Sequence, residues 1–221
     1  DAVLALEFNS KIRRMSAQDY FTKILVESLN SKFISIGYDH KFGFNQEGSP
    51  EKLKEWGKKR GIEVKINSPV NINDEPISST RIRKDISAGQ VKAAAKLLGR
   101  YHTFTGTVTQ GLKRGTELGF PTANLMVPSG VVIPATGVYA GFANLNNKRL
   151  PSVINVGYCP TFKDDTNEVK IEVHILDFPK VDLYNKNIKV EFVDRLRSEE
   201  KFNSKEDLIN QIKKDCEQGH K

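Results

Sequence analysis

Apolar residues along this chain change rhythm near residue 100. Before it, short apolar runs alternate with stripes of helical period. Val3 to Phe8 reads as a strand. Ser16-Ala-Gln-Asp19 has the form of a capping box with Asp for the usual Glu, and Tyr20, Phe21, Ile24, Leu25 and Leu29 then fall on one helical face. Phe33 to Ile36 predicts a strand ending at Gly37. Ser49-Pro50 opens a helix with proline in its first position, and Gly61 stops it. Ile62 to Ile66 predicts the next strand. Ser78 to Ala88 and Gln90 to Leu98 predict two short helices, stopped by Gly89 and Gly99. Strand–helix–strand order implies a parallel α/β sheet with crossover helices. The chain opens in the middle of that pattern, so the sheet is expected to be partial.

Beyond residue 101 the period shortens to two. Thr103 to Thr109, Gly137 to Asn144, Leu150 to Val156, Val169 to Leu176 and Ile188 to Phe192 alternate like strands, with turn residues between them. Five or six such runs with little helix predict a small antiparallel β-barrel. Ser204 caps a C-terminal helix carrying Leu208, Ile209, Ile212 and Cys216 at helical spacing. Two domains are expected, residues 1–99 and 100–221.

Composition narrows the function classes. The 221 residues are 38% hydrophobic and 28% charged, as in a soluble globular protein, and no apolar run is long enough to span a bilayer. Cys159 and Cys216 lie far apart without CxxC spacing, which predicts free thiols in a reducing, cytoplasmic setting. No signal peptide is visible behind Asp1. The net charge of +7 suits phosphorylated small molecules, nucleic acid or acidic membranes. The basic residues are scattered, however, and leave no electrostatic footprint for nucleic acid. A weak homo-oligomer is allowed.

The chemistry concentrates in Gly111-Leu-Lys113-Arg114-Gly115-Thr-Glu-Leu-Gly119-Phe-Pro121-Thr122-Ala-Asn124. The glycines let the backbone turn and offer N–H groups to a phosphate, and Lys113 and Arg114 add positive charge. If the end of the segment is extended, Thr122 and Asn124 face the same way. Two neutral oxygens on one face suit Mg2+, which keeps waters and borrows other ligands from phosphates. The plain alternative is a glycine-rich surface loop leading into a strand.

The Pro-Thr-Ala-Asn tetrapeptide resembles the signature of the riboflavin kinases, which implies that Thr122 and Asn124 hold the magnesium of MgATP. Further blocks resemble the same family in order: Ile133-Pro134 to Tyr139, Asn155 to Phe162, Ile171-Glu172-Val-His174 to Phe178, Asp182-Leu-Tyr184, and Leu196-Arg197 to Phe202. Asn185 stands where a glycine is usual, a departure that asparagine tolerates in a left-handed turn. The resemblance implies a six-stranded riboflavin kinase-like β-barrel in which Glu172 is the general base. It also implies a nucleotide site with Gly111, Lys113, Arg114, Gly115 and Tyr184, and Arg197 and Phe202 at the flavin. Read without it, Glu172 and His174 are a salt-bridged surface pair, and Arg197 and Phe202 a strand end packed under the C-terminal helix.

The first half resembles the later part of the FMN adenylyltransferase domain of bifunctional riboflavin kinase/FAD synthetases, a Rossmann-like nucleotidylyltransferase. Gly37-Tyr-Asp39-His40-Lys41-Phe42-Gly43 and Ile77-Ser78-Ser79-Thr80-Arg81-Ile82-Arg83 carry this. Small hydroxyls and an arginine at a helix start suit a triphosphate, so Ser79, Thr80 and Arg83 are the implied nucleotide ligands. The family's first motif, Gly-x-Phe-Asp-Gly-x-His-x-Gly-His, does not occur, and adenylyl transfer by these residues alone is expected to be poor. The implied ligands are riboflavin, FMN, ATP and ADP, with Mg2+ as cofactor and FMN and FAD as products; nucleic acid and membrane are not expected partners. Two other classes compete. A non-catalytic flavin- or nucleotide-binding regulator would bind without turnover. A nucleic-acid-binding barrel needs aromatics on a strand face beside a basic groove, and the aromatics here fall largely in turns.

Overall fold

The computed structural model describes residues 2–111, 114–159, 168–179 and 181–220, with the side chains of Arg114, Cys159 and Glu168 also outside the description. The chain parts into two compact units, Asp1–Pro76 and Ile77–Lys221. Two helices expected with the first part therefore belong to the second.

The first unit opens with residues 2–9 exposed and in no regular element, so Val3 to Phe8 is not a strand. Alternation there finds no partner strand, and alternation alone cannot make one. Two short helices follow, α1 (Ser10–Arg13) and α2 (Ala17–Asp19), the latter capped by Ser16 Oγ accepting from the Asp19 N–H. The apolar stripe from Tyr20 continues as a π-helix, Tyr20–Ser28, and not as an α-helix. Strands β1 (Phe33–Gly37) and β2 (Glu63–Asn67) pair in parallel, joined through α3 (Pro50–Arg60). Pro50 opens α3 behind the Ser49 cap, and Gly61 closes it at φ 67°, where a side chain would be strained. Phe21, Ile34, Leu53, Ile62 and Val64 form its core. A small hairpin, β3 (Asn71–Ile72) with β4 (Glu75–Pro76), ends the unit.

The second unit begins with α4 (Ser79–Ser87) and α5 (Val91–Leu98). Its strands are β5 (His102–Thr109), β6 (Ala123–Met126), β7 (Gly137–Leu145), β8 (Lys148–Cys159), β9 (Glu168–Ile175) and β10 (Asn187–Arg197). They close into an antiparallel barrel in the order β10-β5-β6-β9-β8-β7. A short helix, α6 (Arg114–Glu117), lies between β5 and β6, and α7 (Lys205–Gly219) ends the chain. Tyr139, Ile154, Ile171, Val190 and Phe192 fill the interior, and Val91 of α5 joins that core. On the outside, Cys216 packs with Val138, Val153 and Leu176. Its thiol is free, as expected, and burial pushes it up to about 11, which leaves it unreactive. No helix among the described residues is long and apolar enough to cross a membrane.

Candidate active site

Three adjacent strands build the site. Asn124 of β6 stands opposite Glu172 of β9, and Glu172 opposite Asn155 of β8. Directly opposed residues project from one face, so register alone sets an amide, a carboxylate and a second amide in a row. A cavity of ≈ 430 Å³ opens beside this row, with Thr122, Asn155, Glu172 and His174 on the barrel side. Leu208 and Ile212 of α7, with Arg197 and Phe202, form the other side. A second cavity of ≈ 300 Å³ is lined by Val108, Phe178, Pro179 and Tyr184, and it too includes Thr122. Thr122 thus borders both hollows.

The glycine loop reaches this junction by close approach. A Cβ at Gly111 would press into the Asn124 side chain, whose Oδ1 lies 2.7 Å from it, and one at Gly115 would come within 3.2 Å of Thr122 Oγ1. These two glycines are required by proximity, whereas Gly119 is required by its φ of 90°. Lys113 and the side chain of Arg114 lie outside the described residues, as do Pro160, Thr161 and Phe162.

Asn124 is buried, and its Oδ1 has no hydrogen-bond partner among the described residues. Leaving such an acceptor unsatisfied costs about 1–3 kcal/mol, so the amide oxygen is open to a partner beyond the described residues. With Thr122 Oγ1 nearby on the same segment, it fits a hard cation. No group of three His, Cys, Asp or Glu side chains able to hold a metal occurs among the described residues. A divalent ion here would rest on neutral oxygens and on ligands it brings.

Glu172 makes an ion pair at 2.8 Å with Lys170 Nζ, both side chains remaining about a third exposed. Lys170 went unnoticed in the sequence, although a period of two puts it on the face of Glu172. His174 does not pair with Glu172; its Nδ1–H donates to the Pro121 carbonyl at 2.8 Å and its ring meets Phe120 edge-on. The imidazole therefore braces the segment that carries Thr122 and Asn124. Arg197 is anchored by α7. Its Nε and Nη2 form a fork on Asp215, with Nη2 at 2.8 Å from Oδ2, and its guanidinium lies 5.7 Å from the Phe202 ring. Asp215 is 2% exposed and also accepts from Gln211. Arg197 is thus a strand end packed under the helix, Phe202 lies in the segment between β10 and α7, and both line the larger cavity. Asp215 had no signal in the sequence, being one polar residue on an amphipathic helix.

Tyr184 lines the smaller cavity, and Asn185 beside it adopts φ 59°, as its place in a left-handed turn requires. Ser79, Thr80 and Arg83 sit exposed on the first turns of α4, behind the Ser78 cap, and border neither cavity. In the first unit, His40 stacks on Phe42 in the turn after β1.

Comparison with known proteins places this geometry in context. Residues 98–221 match the family model described as riboflavin kinase, and residues 1–81 the one described as FAD synthetase. The chain is 37% identical over 216 residues to a bifunctional riboflavin kinase/FMN adenylyltransferase of Buchnera aphidicola, covering 97% of this chain and 68% of the relative. It is 35% identical over 215 residues to the protein of that name in Pseudomonas fluorescens, again covering 97% and 68%. A crystal structure described as a macrolide-efflux protein from Streptococcus pneumoniae superposes with a TM-score of 0.88 at 36% identity, over 97% of this chain and 68% of that one.

Proposed function

The chain belongs to the bifunctional riboflavin kinase/FMN adenylyltransferase family, and we propose that its barrel transfers the γ-phosphoryl group of ATP to riboflavin, giving FMN and ADP. The observation that carries this reading is Thr122 at the junction of two cavities, one of them holding a carboxylate in register with a buried, unpartnered amide oxygen. Donor and acceptor need separate compartments that meet at one point.

The larger cavity takes the flavin, against Phe202 and the apolar face of α7. The smaller takes the nucleotide, with Tyr184 on its wall and the Gly111–Gly115 loop beside the phosphates; Lys113 and Arg114 add charge there. Thr122 Oγ1 and Asn124 Oδ1 would hold Mg2+, which when bound neutralises charge on the phosphates. Glu172 accepts the proton of the primary hydroxyl as the new O–P bond forms and the bond to ADP breaks. Arg197, fixed on Asp215, sets the cavity wall and offers its remaining N–H edge to the product phosphate.

Ser79, Thr80 and Arg83 serve adenylylation of FMN to FAD, a step that needs partners for the α-phosphate beyond them. The division of labour runs at Gly99, although α5 packs on the barrel. The reading further takes the protein to be cytoplasmic and at most a weak homo-oligomer, with riboflavin, FMN, ATP and ADP as ligands and neither nucleic acid nor membrane as partner. The efflux name of the Streptococcus structure is not carried over, since residues 98–221 match the riboflavin kinase model and residues 1–81 the FAD synthetase model. Incubation with riboflavin, ATP and Mg2+, with flavins separated by chromatography, tests the proposal. FMN should accumulate, and Glu172→Gln should slow it by ~10²–10⁴ while leaving flavin binding intact. Tight flavin binding with no turnover would instead mark a regulator.

A further inference from the structure

Among the described residues, Lys170 is the one cation on the barrel strands that both lines the larger cavity and touches the candidate base. It lies two residues before Glu172 on β9, with Nζ 2.8 Å from Oε1, and faces Gly157 across β8. Gly157 carries no side chain to compete for the ammonium, and Glu199 lies beside it: a Cβ at Gly157 would come within 2.6 Å of Glu199 Oε1. Exposed ion pairs of this kind contribute little to stability. A pair at the mouth of a reaction cavity has another use, because its two members are not equally charged throughout the reaction.

We propose that Lys170 is a positioning residue for phosphoryl transfer. It holds one oxygen of the ionised Glu172, so that the other faces the substrate hydroxyl, and then becomes the counterion of the new phosphate. This rests on Glu172 being the base. The balance is explicit. The hydroxyl proton moves to the Glu172 carboxylate, the hydroxyl oxygen bonds to the γ-phosphorus, and the γ-phosphorus–oxygen bond to ADP breaks. Once Glu172 is neutral, the attraction that held Lys170 is gone. At that moment the flavin product carries a phosphate dianion in the same cavity, and a lysine with a flexible stem can turn to it. The charge is thereby matched before and after transfer without a new group entering the site.

The test compares Lys170→Met and Lys170→Arg with the unaltered chain, and runs Glu172→Gln alongside. Turnover gives kcat and KM; flavin fluorescence gives separate affinities for riboflavin and FMN. Lys170→Met should lower kcat about tenfold and weaken FMN about tenfold, the scale of one charge-assisted hydrogen bond, with riboflavin affinity and the KM for ATP unchanged. Lys170→Arg should restore much of both. Equal weakening of riboflavin and FMN would show a structural role and overturn the proposal, and so would unchanged kcat and FMN affinity in Lys170→Met. If Glu172→Gln is inactive while Lys170→Met behaves as wild type, only the role of Lys170 falls. If Glu172→Gln retains full activity, the base assignment falls and the positioning role with it.

Discussion

The two compact units use strands in opposite ways. In the first, β1 and β2 pair only with each other among the described residues, and Phe33 at the start of β1 is 51% exposed. In the barrel every strand has two neighbours, and Tyr139, Ile154, Val190 and Phe192 are fully buried. Closure fixes the register of a strand from both sides. Glu172 is held between Asn124 and Asn155 for that reason, and the row of polar groups follows from topology. The parallel pair offers no such constraint. Its motif residues stand on a turn after β1, while Ser79, Thr80 and Arg83 stand on an exposed helix start.

The sharpest way to break this comparison is to ask for both reactions. The polypeptide of residues 1–221 should convert riboflavin to FMN, yet form FAD from FMN and ATP at least about a hundredfold more slowly, the order lost when reactants are not held in place, because Ser79, Thr80 and Arg83 stand exposed and border neither cavity. Comparable rates would show that the exposed start of α4 and the turn after β1 are as well organised for catalysis as the barrel row. The next effect is on stability. Asp215→Ala strands the Arg197 guanidinium, largely enclosed under α7, and should cost the barrel about 3–5 kcal/mol. Hydrogen exchange should register the loss in β7, β8 and β10 and leave β1 and β2 unchanged; a uniform loss would mean that the units do not unfold separately.

Legibility in the sequence followed the same division. The barrel strands were readable because their alternation is long, and Gly137 to Asn144 lies within β7 almost to the residue. Ile188 to Phe192 stopped short of the true end of β10. A register shift between Phe192 and Asp194 breaks the period of two there, and the strand runs on to Arg197. β6, four residues long, was foreseen only as a conditional extension of the glycine loop. Val3 to Phe8 shows the converse, a good pattern with nothing to pair with. Within the candidate site, Thr122, Asn124 and Glu172 were legible as local motifs. The Arg197–Asp215 fork was not, since it joins a strand end to a helix through positions that no local period connects.

A smaller effect sharpens the metal site. Asn124→Ala or Thr122→Val should weaken ADP about tenfold or more in Mg2+ and hardly at all in EDTA, since on the proposed reading each removes a ligand of the cation. Isothermal titration in both buffers checks this, and equal losses in the two would make the loop purely structural. The smallest effect concerns acid. Burial holds the His102 imidazole below its ordinary 6.5, and its Nε2–H donates to the Val132 carbonyl. The folded barrel thus prefers the neutral ring, while the unfolded chain takes up a proton first. Its contribution is complete above about pH 6.5 and is lost as the pH falls below that. His102→Gln should flatten this dependence in barrel melting.

The closing strand also sets a clock. β10 pairs with β5, where Phe192 meets His102, and with β7, where Lys189 meets Asn144. While the chain is being made, β5 and β7 must therefore wait as open edges until residues 187–197 have left the ribosome. The first unit completes β1, α3 and β2 from neighbouring sequence, so it can form early; the barrel, ruled by distant pairings, is a late and slower event. Nascent chains halted before β10 should thus be the species most in need of a chaperone.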